Sequence, residues 1–264
     1  MIANSVPEHF AKMPVLFVGH GNPMNALEDN PFSRTWRTLG AMLPRPRAIL
    51  CISAHWQTSG PQVTAMNTPP TIHDFGGFPQ PLFDVRYAVP GSPQWAARIA
   101  QLDARYPIVA DHAWGLDHGS WSVLCHMFPE ADIPVLQLSL DTTRTPAQHY
   151  QFAKVLAPLR DEGVLIMGSG NIVHNLRQMI RRDEAYDWAV EIDQLVAQQI
   201  EAGNHAALID YPHLHPKMLL AVPTVEHYLP LLYILALQTS TDSVSFFNET
   251  VTLGSMSMRG VQMG

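Results

Sequence analysis

Two apolar runs in this chain each end in a histidine: Val15-Leu16-Phe17-Val18-Gly19-His20-Gly21 and Ile49-Leu50-Cys51-Ile52-Ser53-Ala54-His55-Trp56. Each has the length and β-branched content of a buried strand, and a small residue precedes the histidine where the strand would stop. Between them, Trp36, Leu39 and Leu43 fall at helical spacing, which predicts a helix over 31–42 and a second strand over 48–53. Strand, helix, strand in that order is a βαβ unit, and this requires a parallel pair with a crossover. In an open α/β sheet, ligands sit in the crevice beyond the carboxyl ends of the strands. Two imidazoles delivered there by separate strands could converge on one point, and a metal ion is the commonest reason for that.

The rest of the chain reads as more of the same architecture. Residues 61–93 hold seven prolines, which predicts a long, stiff surface excursion suited to covering a site. A helix is expected over 94–102, a short strand over 108–110, and a turn at 114–121 leading into a helix that ends near Met127. Strands follow at 133–140 and 163–167, separated by a helix over 146–160. Gly168-Ser169-Gly170-Asn171 reads as a tight turn before a helix carrying His174, and a long helix spans 184–202. Residues 226–237 read as a buried helix and 244–253 as a strand. The expectation is one α/β domain over 1–264, with a mixed, largely parallel central sheet flanked by helices and a metal site at the carboxyl ends of the strands.

Composition narrows the function classes. Hydrophobic residues make up 47% and charged residues 15%, which fits a packed core and argues against disorder. A net charge of -7 provides no attraction to nucleic acid or to anionic membranes, so neither is expected as a partner. The two cysteines, Cys51 and Cys125, lie within predicted elements and fit a reducing compartment. Residues 1–14 lack the apolar core of a secretory signal, and 229–237 is too short an apolar run to span a bilayer. A cytoplasmic protein is the simplest expectation.

Thirteen histidines against sixteen lysines and arginines direct attention to ligands and proton-transfer groups. Beyond His20 and His55, His118, His174 and His227 fall where a strand or turn hands over to a helix. By contrast, His9, His112, His126, His149 and His205 are expected on polar or helical surfaces, and His213 and His215 in a stiff proline-flanked turn. The Gly168–Asn171 turn could bind phosphate through backbone N–H groups, but it matches neither common nucleotide-binding pattern. Glu226 and His227 are adjacent, and on a helix neighbours point about 100° apart, so only one would face a metal. Two histidines with a carboxylate form the usual non-haem Fe(II) triad and would select Glu226. Three histidines would select His227 and would hold zinc as well.

Six segments occur in order: Gly19-His20-Gly21-Asn22-Pro23-Met24, Ser53-Ala54-His55-Trp56, Thr71-Ile72-His73-Asp74-Phe75-Gly76-Gly77, Leu116-Asp117-His118-Gly119-Ser120-Trp121, Gly168-Ser169-Gly170-Asn171-Ile172-Val173-His174-Asn175-Leu176 and Pro223-Thr224-Val225-Glu226-His227-Tyr228. Together they resemble the DODA-type branch of the class III extradiol ring-cleavage dioxygenases, the 4,5-DOPA dioxygenase family, from Pro14 to the C-terminus. The resemblance implies an enzyme of aromatic-compound metabolism that opens a catechol such as L-DOPA with O₂ to a muconic semialdehyde-type product. It implies one divalent metal, Fe(II) for catalysis and Zn(II) as isolated, held by His20, His55 and His227. It also implies His174 as catalytic base or fourth ligand and His118 as the second active-site histidine, here expected to donate a proton. Trp56, Asp74, Phe75 and Trp114, with Phe78 beside them, are the expected substrate contacts. A small-molecule catechol and O₂ are the expected partners, in a monomer or small homo-oligomer. A zinc-dependent hydrolase on an α/β sheet is the alternative reading of a His-rich site, and a non-catalytic metal binder is a third.

Overall fold

The first histidine-tipped run is a strand, β1 (Val15–Gly19), with all five residues buried. Nine more strands follow: β2 (Ala48–Thr58), β3 (Gln62–Thr64), β4 (Val109–Asp111), β5 (Val135–Asp141), β6 (Val164–Gly170), β7 (Val244–Phe247), β8 (Val251–Thr252), β9 (Met256–Ser257) and β10 (Gly260–Met263). The computed structural model describes residues 12–182 and 184–264, so His9 and most of the segment read for a secretory signal lie outside the described residues. Eight strands form one sheet in the order β4-β3-β5-β2-β6-β1-β10-β7, and β8 pairs with β9 separately. The central β5-β2-β6-β1 pairings are parallel, whereas β10 and β7 add antiparallel at one edge and β3 joins β5 antiparallel at the other. This is the mixed, largely parallel sheet that the sequence predicts.

Side-chain alternation explains why these strands are apolar throughout. Val15, Phe17, Leu50, Ile52 and Ile166 face one apolar cluster, and Leu16, Val18, Ile49, Cys51 and Leu165 face the other. Strands buried on both faces lose the polar-apolar alternation that a half-exposed strand keeps. The first cluster is completed by the helices Pro146–Ala153 and Leu229–Ala236, and the second by Pro31–Met42 and His118–Met127. The helix at Pro31–Met42 starts where the sequence predicts because Asn30 and Ser33 form a capping box and Pro31 occupies the first turn.

Several elements differ from expectation for identifiable reasons. Strand β2 continues to Thr58, so His55 lies within it and not beyond its end. Its pairing to β6 stops at Ser53↔Ser169, and its register with β5 shifts between Ile52 and Gln57. His55 therefore sits on the stretch where β2 parts from its neighbours, which is the open crevice of the fold. The proline-rich excursion is not structureless, since it contains β3 and a short helix at Gln80–Asp84. The helix expected over 146–160 is broken into Pro146–Ala153, a 3₁₀ turn and Pro158–Asp161, because Pro158 lacks the N–H that would continue it. The C-terminal strand is divided into β7 and β8, with Asn248 at a left-handed φ of 51° between them. No helix among the described residues is long and apolar enough to cross a membrane.

Gly168, Ser169 and Gly170 form the end of β6 and not a turn. A Cβ on Gly168 would stand 2.5 Å from the Pro230 carbonyl oxygen, and one on Gly170 would stand 2.1 Å from that of His227. The glycines let His227 and the first turn of the helix Leu229–Ala236 lie directly on the strand, where the Asn171 N–H donates to His227 O at 2.9 Å. The small residues thus serve the placement of His227.

Candidate active site

The ends of β1 and β6 coincide with the point where β2 leaves β6, at the pairs Gly19–Gly170 and Ser53–Ser169. His20 follows β1, and His55 projects from the unpaired part of β2. His118 is the first residue of its helix, capped by Asp117, whose carboxylate also accepts from Ser53 Oγ at 2.7 Å. His174 is not on a helix: it bridges to Met256 of β9 just before a 3₁₀ turn at Leu176–Gln178. Glu226 and His227 precede the helix Leu229–Ala236, so the rule that helical neighbours diverge does not govern them. All five histidines line one cavity of 320 Å³ together with Asp74, Phe75 and Phe78.

The hydrogen bonds fix where the lone pairs point. Ser169 Oγ donates to the carbonyl of Gly119, so at the 3.0 Å contact with His20 Nδ1 the ring must be the donor. Asp74 Oδ2 lies 3.0 Å from His118 Nδ1 and accepts from that ring, and its charge, 3.3 Å from His55 Nδ1, favours the Nδ1–H tautomer there. Glu226 Oε1 stands 3.1 Å from His227 Nδ1 and also accepts from Thr224 Oγ1 at 2.8 Å. Each of these four rings therefore carries its proton on Nδ1 when neutral and has a lone pair on Nε2. The Nε2 atoms of His20 and His55 are 3.1 Å apart, and that of His227 is buried without a hydrogen-bond partner. Facing lone pairs repel and cannot bond to one another. Two ligands about 2.0–2.1 Å from one cation would be separated by a similar distance, so the donor set fits a metal.

The electrostatics agree. Burial, reinforced by neighbouring histidines, pushes His20 well below its ordinary value, takes His55 down to about 2 and His174 to about 3. Burial also lowers His227 against the opposing pull of Glu226. The burial of Asp74 alone would raise its carboxyl, but hydrogen bonds from His118 outweigh this and hold it below the carboxylate range. Glu226 is likewise held at about 2, as the bonds from His227 and Thr224 overcome burial. At neutral pH His20, His55, His174 and His227 are therefore neutral imidazoles, with the carboxylates of Asp74 and Glu226 beside the cluster.

Candidate ligand atoms fall into two groups, each within 4.8 Å: His20, His55 and His118, and His174, Glu226 and His227. His227 bridges the groups, with its ring centroid 5.5 Å from His20, 5.0 Å from His55 and 3.5 Å from the stacked ring of His174. Phe75 packs edge-on to His118 at 5.6 Å. Trp56 and Trp114 are corrections to the expected substrate contacts. They stack on each other at 5.8 Å, Trp56 is buried, and neither lines the cavity. Side chains alternate along a strand, so Trp56, one residue after His55, faces away from the site. His149 is a second correction: it is buried, bonded to Tyr233 OH at 2.9 Å and lowered to about 4 by burial. Sequence reasoning missed Ser169 and Thr224 as partners of the ring system, and Leu176, Met179 and Met256 as cavity walls. Ser169, Thr224 and Leu176 carried a signal, since all three stand in the histidine-bearing motifs.

Comparison with known proteins agrees with this site. Residues 16–258 match the family described as the catalytic LigB subunit of aromatic ring-opening dioxygenase. The chain is 48% identical over 259 residues to an Escherichia coli K12 protein named 4,5-DOPA dioxygenase extradiol, covering 96% of this chain and 95% of that one. A protein of the same name from Beta vulgaris is 40% identical over 223 residues, covering 81% and 83%. A crystal structure of an uncharacterized Escherichia coli K12 protein superimposes with a TM-score of 0.83 at 43% identity, covering 96% of this chain and 100% of that one. The chain belongs to the LigB family of aromatic ring-opening dioxygenases, within its DODA-type extradiol branch.

Proposed function

We propose that this protein, acting as one catalytic domain over 1–264, binds a divalent metal through His20, His55 and His227. There it opens the ring of a catechol with O₂ on the extradiol side. L-DOPA is the substrate suggested by the names of the relatives, and its product would be 4,5-seco-DOPA, a muconic semialdehyde-type compound. The observation that carries the ligand set is the convergence of Nε2 lone pairs whose Nδ1 protons are already committed, above all the buried, unpartnered Nε2 of His227. Glu226 supports that ring through Nδ1, which makes it an orienting carboxylate and His227 the ligand. Fe(II) fits catalysis, and zinc, favoured by imidazole in the usual divalent order, fits the metal retained on isolation. When bound, Fe(II) supplies open positions for both diol oxygens and a route for electrons between the diol and O₂.

The chain's own residues supply the rest. His174, neutral and facing the cavity, accepts the second phenolic proton; the anionic diol beside it would favour the imidazolium that burial otherwise penalises. His118, with Nδ1 held by Asp74, takes up a proton on its Nε2 lone pair and gives that proton back during ring opening, returning to the neutral ring. Phe75 and Phe78 line the cavity, exclude water and offer aromatic faces to the ring. The test is anaerobic loading with Fe(II), then L-DOPA or simple catechols with O₂ in an oxygen electrode. One O₂ consumed per ring opened is expected, with a yellow product containing both atoms of labelled oxygen. No uptake across a catechol panel would sink the proposal.

A further inference from the structure

One wall of the histidine cavity is built of Phe75, Phe78, Leu176, Met179 and Met256, and among the described residues no lysine or arginine lines it. Leu176 and Met179 are 58% and 43% exposed and so place apolar side chains where the cavity meets solvent. Their direction is set by the backbone. They flank and begin a 3₁₀ turn, Leu176–Gln178, in which residues three apart eclipse one another. Both line the cavity, whereas Arg177 and Gln178 between them do not. The carboxylate that lines the cavity, Asp74, already accepts two hydrogen bonds from His118.

We infer that this wall receives the ring substituent of the catechol and that the site favours uncharged, apolar substituents such as alkyl chains over carboxylated ones. The inference rests on the catechol reading above and refines it. With the diol held at the histidines, a substituent pointing outward buries its methylenes against Leu176, Met179 and Phe78. A carboxylate at the same place meets no lysine or arginine among the described residues that line the cavity and gives up hydration without a partner. L-DOPA is accommodated only with its ammonium and carboxylate left in solvent at the mouth.

The test measures two things on the metal-loaded protein. Calorimetric binding of 4-methyl-, 4-ethyl- and 4-propylcatechol to the zinc-loaded form should tighten about threefold to fourfold per added methylene. The propionate analogue, 3-(3,4-dihydroxyphenyl)propionate, should bind about tenfold more weakly than 4-propylcatechol. In the Fe(II)-loaded form the same order should appear in kcat/KM. Leu176→Lys should narrow the gap between propyl and propionate analogues by adding a cation at the rim. A propionate that binds as well as the propyl compound, or a gap that Leu176→Lys leaves unchanged, would overturn the inference. Failure of every catechol to open with Fe(II) would instead remove the dioxygenase reading, and the order of affinities on the zinc form would still decide this one.

Discussion

Asp74→Asn is expected to lower metal affinity by about 10–100-fold and kcat by about 10²-fold or more, with little change in the fold. The carboxylate accepts from two donors, the backbone N–H and Nδ1 of His118, and its charge stands 3.3 Å from Nδ1 of His55. An asparagine keeps the volume but offers a single acceptor oxygen, and its NH₂ group would face ring nitrogens that now carry protons. One or both rings would then favour the other tautomer, placing a proton on Nε2 where a lone pair is required. Because His55 and His118 come from different elements, one substitution disturbs both the ligand set and the proton donor. Metal titration separates the first effect, and kcat against pH at saturating metal separates the second. A purely packing role for Asp74 would move neither; unchanged affinity and an unchanged profile would contradict this account.

The second large effect distinguishes the neighbours Glu226 and His227. His227→Ala removes a ligand, so metal content after dialysis should fall further than the ~10–100-fold weakening typical of losing an outer partner. Glu226→Gln should show only that smaller weakening, because glutamine can still accept from His227 Nδ1. His118→Ala should retain metal while kcat drops by about 10²–10⁴-fold, the usual contribution of a positioned proton donor. Metal analysis alongside far-UV circular dichroism separates lost ligation from lost folding. A Glu226→Gln protein stripped of metal beside a metal-replete His227→Ala protein would reverse the assignment.

The parallel core was legible because burial on both faces leaves an unbroken apolar run, which is what 15–19 and 49–52 present. The helix at Pro31–Met42 was legible for a local reason, its capping box and leading proline. The end of β6 was not. Gly168 and Gly170 look like turn residues, and only the crossing segment at His227 and Pro230 explains why a strand needs them. The same long-range contact determines that His227 sits in a turn. Similarly, β9 and β10 carry weak local signals, and β10 owes its place to pairing with β1 and β7. Within the site, the five histidines were visible as strand-end and helix-start residues. The roles of Ser169, Asp74 and Glu226 as proton acceptors for Nδ1 depend on which ring each one meets in space.

The central claim is that Nε2 lone pairs of His20, His55 and His227 converge on one catalytic metal. Anomalous diffraction from crystals of the Fe(II)- or Zn(II)-loaded protein with a catechol analogue tests it most directly. The expected result is a single peak about 2.0–2.2 Å from each of those three Nε2 atoms, with the diol oxygens completing the coordination and His118 and His174 within reach of them. A peak held by His118 or a Glu226 oxygen in place of His227, or no peak among these residues, would contradict it.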